Sequence, residues 1–100
     1  MNTGKHHKRA QRVVKEIIDA WDPYALLRGG APDDEFDSEI NEIVRQLPHI
    51  RSEDDAIHVI SMVMSSAFEA KDFTPDKCNA IGKEAFTRCK EEGLIGKRRT

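Results

Sequence analysis

Apolar residues recur along this chain three and four positions apart, the spacing of an α-helix, nearly from end to end. Ala10, Val13, Val14, Ile17, Ile18 and Trp21 fall on one stripe of a helix predicted from about Lys5 to Trp21. Asp22-Pro23 ends it, because the residue before a proline is pushed out of the α region. Asp22 is placed to cap a short extra helical turn through Leu27, with Pro23 at its first position. Gly29-Gly30 stops that turn.

A second main helix is predicted from near Asp33 to just before Pro48, with Phe36, Ile40, Ile43, Val44 and Leu47 on its stripe. Asp33, Asp34, Glu35 and Asp37 crowd its first turns, where the helix dipole favours negative charge. Ser52 then caps a third helix, Glu53 to about Ala70, with Asp55 at the reciprocal capping position. Ala56, Ile57, Ile60, Val63, Met64, Ala67 and Phe68 line it and Val59 widens the arc, so it should be the most buried helix. Met62 stands alone on its polar side.

Thr74-Pro75 opens the last helix, with Phe73 placed to staple onto Cys78. Its inward stripe is built of small residues: Cys78, Ile81, Gly82, Ala85 and Cys89, with Phe86 at one edge. Small residues allow close approach, which predicts tight packing on the third helix. Gly93 ends it, with Leu94 positioned to touch Cys89. No stretch alternates as a half-buried strand does, and the connections are short. The fold class expected is all-α: a compact bundle of four main helices with a short extra turn after Trp21. It forms a single domain over residues 1–100, with flexible basic tails at about 1–6 and 96–100.

Composition narrows the chemistry. One hundred residues suffice for one core, and 34% charged against 38% hydrophobic residues describe a small domain with a charged exterior. No apolar run approaches the roughly 18–20 residues of a membrane span. The basic start, MNTGKHHKRAQR, lacks the apolar stretch of a secretory signal. Cys78 and Cys89 lie about 16 Å apart along one helix, beyond the roughly 7 Å that a disulfide spans. Free thiols and no signal point to the cytoplasm.

The net charge of −2 conceals an uneven layout. Lys5, Lys8, Arg9 and Arg12 open the chain without an acid, and GKRRT closes it. Between them lie Asp33, Asp34, Glu35, Asp37, Glu39, Glu42, Glu53, Asp54 and Asp55, against Arg45 and Arg51. Such a layout suits a solvated surface, or one that selects a partner by charge.

Candidate chemistry is sparse. His6, His7, His49, His58, Cys78 and Cys89 show no metal-binding spacing, and DDEFDSEINE lacks the order of a calcium loop. Both cysteines fall on an apolar stripe, where a thiol behaves as a small hydrophobe, and His58 faces away from them. RGGAP is no phosphate loop. No cofactor or metal is expected. Two separated basic ends and few aromatics do not describe a nucleic-acid platform.

VVKEIIDAWDPYALL followed by APDDEFDSEINEIV resembles the YugE-like family of small bacterial proteins, over roughly residues 10–95. The matching elements are Trp21, Asp22 and Pro23, then Pro32, Asp34, Glu35, Phe36, Glu39 and Ile40. Phe36 stands where Tyr is more usual, and Gly29-Gly30 loosens the linker. The resemblance implies a small helical bundle. Similar Trp-Asp-Pro openings occur in helical immunity-type proteins, which neutralise bacterial toxins by binding them.

The reading that follows is a non-enzymatic bacterial interaction protein, an immunity-like inhibitor in its concrete form. Asp33, Asp34, Glu35, Asp37, Glu39 and Glu42 would bind a protein partner. Trp21, Asp22, Pro23, Tyr24 and Phe36 would form a packed structural corner. One alternative is a homodimeric helical module using Met62, Val59, Leu26, Leu27 and Leu94. Another is a small-ligand or enzymatic site at the corner of Trp21, Asp22 and Tyr24, with Asp33.

Overall fold

The computed structural model describes residues 3–95, with side chains within residues 7–95. The predicted tails therefore fall largely outside the described residues. Four α-helices follow one another: α1 (Thr3–Trp21), α2 (Asp37–Gln46), α3 (Glu53–Ala67) and α4 (Asn79–Glu91). Three short 3₁₀ turns, Pro23–Ala25, Leu47–His49 and Ala70–Asp72, punctuate the connections. Among the described residues there is no strand. Each helix packs on two neighbours: α1 and α3 each meet α2 and α4, with α3 and α4 sharing the most extensive contact.

Most positions of the predicted stripes become the core, although Ala67 is exposed and Trp21, Phe68 and Ala85 are half-buried at its edge. Ala10, Val13, Val14, Ile17 and Ile18 of α1 are buried, as are Phe36, Ile40, Ile43, Val44 and Leu47. From α3 come Ala56, Ile57, Ile60, Val63 and Met64, and from the last segment Cys78, Ile81 and Cys89. Each buried Val, Leu, Ile or Met side chain contributes about 1.5–3 kcal/mol relative to exposure. Val59 is also buried, at 8% exposure, and so is Leu94. The apolar patch expected around Met62 therefore loses both: the arc of α3 is wide enough to carry Val59 inward.

Gly82 explains the close contact of α3 and α4. A β-carbon on Gly82 would lie 2.4 Å from Ile57 Cγ1 and 2.7 Å from Ile57 Cα, so only glycine admits this approach. At the far end Gly93 takes φ +74°, and the Leu94 amide reaches back to the Cys89 carbonyl at 2.8 Å. That is the expected left-handed helix stop.

Several boundaries differ from the periodicity. Regular α2 starts at Asp37, four residues later than Asp33. Residues 33–36 instead form tight turns, with Glu35 N–H donating to Pro32 O (3.0 Å) and Asp37 N–H to Asp34 O (3.1 Å). Three consecutive acids repel one another there, and Asp is a poor helix former. The turns also carry Phe36 into the core, where it is fully buried. At its other end α3 stops at Ala67 rather than Ala70. Phe68 (φ −133°, ψ −156°) leaves the helix to join an aromatic cluster.

The predicted caps hold with modifications. Ser52 Oγ accepts from Asp55 N–H at 3.1 Å, while Asp55 returns a bond to Arg51 N–H at 2.9 Å rather than to Ser52. Thr74 Oγ1 accepts from Lys77 N–H at 3.3 Å, yet regular α4 begins only at Asn79. The amide of Cys78 is shared between Thr74 O (3.0 Å) and Pro75 O (3.2 Å), which keeps the opening turn tight.

Candidate functional site

The corner between α1 and α2 is built around Asp22. Its carboxylate is 3% exposed and accepts from the amides of Leu27 (2.8 Å) and Arg28 (3.1 Å), with Arg28 Nε at 3.6 Å. Asp22 does not cap the start of the 3₁₀ turn with its side chain: the Ala25 amide there goes to the Asp22 backbone carbonyl at 2.8 Å. It caps the amides that follow instead. To aim its side chain inward, Asp22 adopts φ +49°, and Tyr24 and Ala25 follow at +62° and +54°. Left-handed backbone costs a non-glycine residue about 1–2 kcal/mol, so the corner is held by the contacts around it.

Those contacts are aromatic. Trp21 is half-buried and meets Phe73 edge-on, ring centroids 5.8 Å apart at 87°. Tyr24 lies edge-on to Phe68 (5.7 Å) and Phe73 (5.6 Å), and its hydroxyl donates to Asp72 Oδ2 at 2.6 Å. Phe36 meets Phe68 at 6.3 Å. Trp21, Tyr24 and Phe36 thus knit α1 and the linker to the α3–α4 connection. The Asp22 carboxylate is buried, and each of its oxygens accepts a backbone bond from the linker.

The connection itself is fastened at one atom. The Phe73 carbonyl oxygen accepts from Ser61 Oγ (2.5 Å), Ser65 Oγ (3.4 Å) and Cys78 Sγ (3.6 Å). Ser61 is buried on the inner side of α3, and this bond accounts for it. Its hydroxyl, within an apolar arc, was the available signal.

Of the six predicted partner-binding acids, Asp37 faces a groove against α1, Glu39 and Glu42 face one against α3, and Asp33, Asp34 and Glu35 lie exposed on the turn before α2. On the α1 side, Lys15 Nζ donates to Asp33 O (2.7 Å) and Asp37 Oδ1 (3.1 Å) and pairs with Asp19 Oδ2 (3.2 Å). Burial alone lowers the Lys15 pKa, but the bonds and charges of Asp37 and Asp19 outweigh it and hold the ammonium above its ordinary value. Lys15, which periodicity assigns only to a polar face, clasps the linker to α1. The Asp37 carboxylate is thus engaged within the fold, whereas Asp33 gives only its backbone oxygen and keeps an exposed carboxylate. Asp34 and Glu35 are exposed on the turn before α2 and form no salt bridge among the described residues.

Glu39 and Glu42 face the other way, toward α3. With Ser38, Met62, Val63, Ser66 and Ala67 they line an open groove of about 420 Å³. Met62 is 53% exposed there. Glu42 bonds Arg45 (2.5 Å) and Gln46 (3.0 Å), which hold its carboxyl below the usual range. Glu39 is half-buried and forms no salt bridge among the described residues. No Lys or Arg lines the groove.

Nucleophilic chemistry has little to work with. Cys78 and Cys89 are buried, and burial raises both thiols, Cys89 to about 11. A thiol so protonated is a poor nucleophile at neutral pH. His58 is exposed, with Nδ1 on the Asp54 carbonyl at 2.8 Å. Among the described residues no three His, Cys, Asp or Glu side chains gather as a metal site, and no helix is long and apolar enough to cross a membrane. No family model, no curated protein and no solved structure matches the chain.

Proposed function

We propose that this chain is a non-enzymatic interaction protein that binds a protein partner through the acidic surface of α2 and the turn before it. Its concrete form is an immunity-like inhibitor whose carboxylates oppose a basic surface on a toxin or nuclease. One observation carries the reading: Asp34, Glu35 and Glu39 carry no salt bridge among the described residues, on a scaffold whose thiols are buried. Acids placed so speed encounter with a cationic partner and reject anionic ones.

The test uses the protein as bait in lysate of its own cell, followed by kinetics on the captured partner. Neutralising Asp34, Glu35, Glu39 and Glu42 together, to Asn and Gln, should slow association at least tenfold at low salt and flatten its salt dependence. Unchanged association in the fourfold variant sinks the reading.

Self-association is less well supported. A two-fold contact through Met62 would bring Glu39 and Glu42 against the same acids of a second copy.

A further inference from the structure

The groove between α2 and α3 has a floor and a rim of different chemistry. Met62, Val63 and Ala67 make the floor apolar, while Glu39 and Glu42 place two carboxylates on one wall and Ser38 and Ser66 add hydroxyls. Large apolar side chains are rarely left this open: Met62 and Tyr24 are the exposed ones among the described residues, and Tyr24 is packed edge-on against two phenylalanines and hydrogen-bonded. Met62 touches no such arrangement. A flexible thioether in a groove is well suited to adapt to an inserted side chain. At about 420 Å³ the groove falls within the range of side-chain and ligand pockets.

We infer that this groove docks a short amphipathic helix of a partner protein, one apolar side chain seated on Met62 and Lys or Arg side chains flanking it. The inference rests on the interaction-protein reading and names its site. Charge selects the occupant, first through Glu39, which forms no salt bridge among the described residues, and then through Glu42, whose carboxylate a partner would share with Arg45 and Gln46. Glu39 and Glu42 stand three residues apart, about 4.5 Å along the axis of α2. Basic residues three or four apart on a facing helix meet that spacing. An acidic segment would be repelled, and a second copy by the same face would set acid against acid. The α2 helix, about 15 Å long, accommodates two to three turns of a bound helix.

The probe is a synthetic twelve-residue helical peptide with two leucines on one face and lysines beside them. Two controls accompany it, one with Glu for each Lys and one with Ser for each Leu. Titration into the isotope-labelled full chain is followed by amide chemical shifts. Saturable shifts centred on Ser38, Glu39, Glu42, Met62 and Ser66 support the inference, with both controls at least tenfold weaker. Met62→Ser, at an exposed position, should weaken the probe about tenfold, and Glu39→Gln with Glu42→Gln should do so by a similar factor. Shifts centred on Asp34 and Glu35, or equal binding by Met62→Ser, overturn the groove as the site and leave the acidic-surface reading standing. Absence of saturable binding overturns the groove outright. Concentration-dependent dimerisation that Met62→Ser abolishes overturns it in favour of a second copy. The broader reading fails separately, when the fourfold acid variant associates with its captured partner unchanged.

Discussion

Gly82 rests against the backbone of Ile57, so near that a β-carbon would stand 2.7 Å from the Ile57 Cα. The neighbour is main chain and cannot rotate away. Gly82→Ala should therefore destabilise the fold by about 1–3 kcal/mol, the range for an overpacked core. The better helix propensity of alanine offsets only about 1 kcal/mol of the clash. Urea denaturation of the two proteins, at equal m-value, checks this. A more stable variant would mean that α3 and α4 separate freely.

Phe36 and Trp21 should differ in how much each holds. Phe36 is 0% exposed, so Phe36→Ala should cost about 3–5 kcal/mol. Trp21 is only half-buried and meets Phe73 by its edge. Trp21→Ala should fall below that range, near about 2 kcal/mol. Thermal unfolding of both variants gives the order, and a larger loss at Trp21 would contradict the packing described.

Asp22 is the polar centre of the corner, accepting from Leu27 and Arg28 amides. Asp22→Ala should cost about 1.5–3 kcal/mol, as bonds to a charged acceptor do. Asp22→Asn keeps one acceptor oxygen and should lose less. Hydrogen exchange provides a local readout: the amides of Leu27 and Arg28 should exchange faster in the alanine variant before global stability is lost.

The buried thiol of Cys89 makes stability fall at alkaline pH. Desolvation raises it from an ordinary value of 9.0 to about 11, with Arg88 opposing the shift and Glu92 adding to it. Between those values the folded chain keeps a proton that the unfolded chain releases. The contribution is thus fully present below about pH 9 and is lost as pH rises toward 11. Lys15 and Tyr24 are also raised, so their losses begin only above 10.5 and 10.0. Burial raises Cys78 from the same 9.0, so in Cys89→Ala the decline between pH 9 and 10 should become shallower, and flatten once Cys78 is replaced as well. Denaturation midpoints across that interval decide it.

Helix count, order and core were legible in the sequence because apolar spacing records which face is buried. Val13, Ile17, Ile40, Ile60 and Ile81 are all inside. Gly82 was legible too, since a stripe of small residues has few uses besides close approach. Helix starts were less so. Residues 33–36 and 74–78 have the composition of first helical turns but close tighter bonds, to Pro32, Asp34, Pro75 and Asp76. Composition does not distinguish bonds three residues back from bonds four back. The roles of Lys15 and Ser61 depend on which segments meet, 18 and 12 residues away, and one-dimensional spacing does not carry that. The same reason divides the polar face of α2: Asp37 and Asn41 face α1 while Glu39 and Glu42 face α3, although all lie in one run.

The bonds from Leu27 and Arg28 to Asp22 span only five and six positions of chain. Closing a loop that short sacrifices little entropy and takes about 10–100 ns. The Asp22 bonds of the reversal after α1 can therefore close early, while its left-handed backbone is held once Phe68 and Phe73 arrive. Those bonds would narrow the directions in which α2 searches for its partner helix. Docking of α2 on α1, α3 on α2 and α4 on α3 then joins neighbours in sequence, while the α1–α4 contact closes across the bundle.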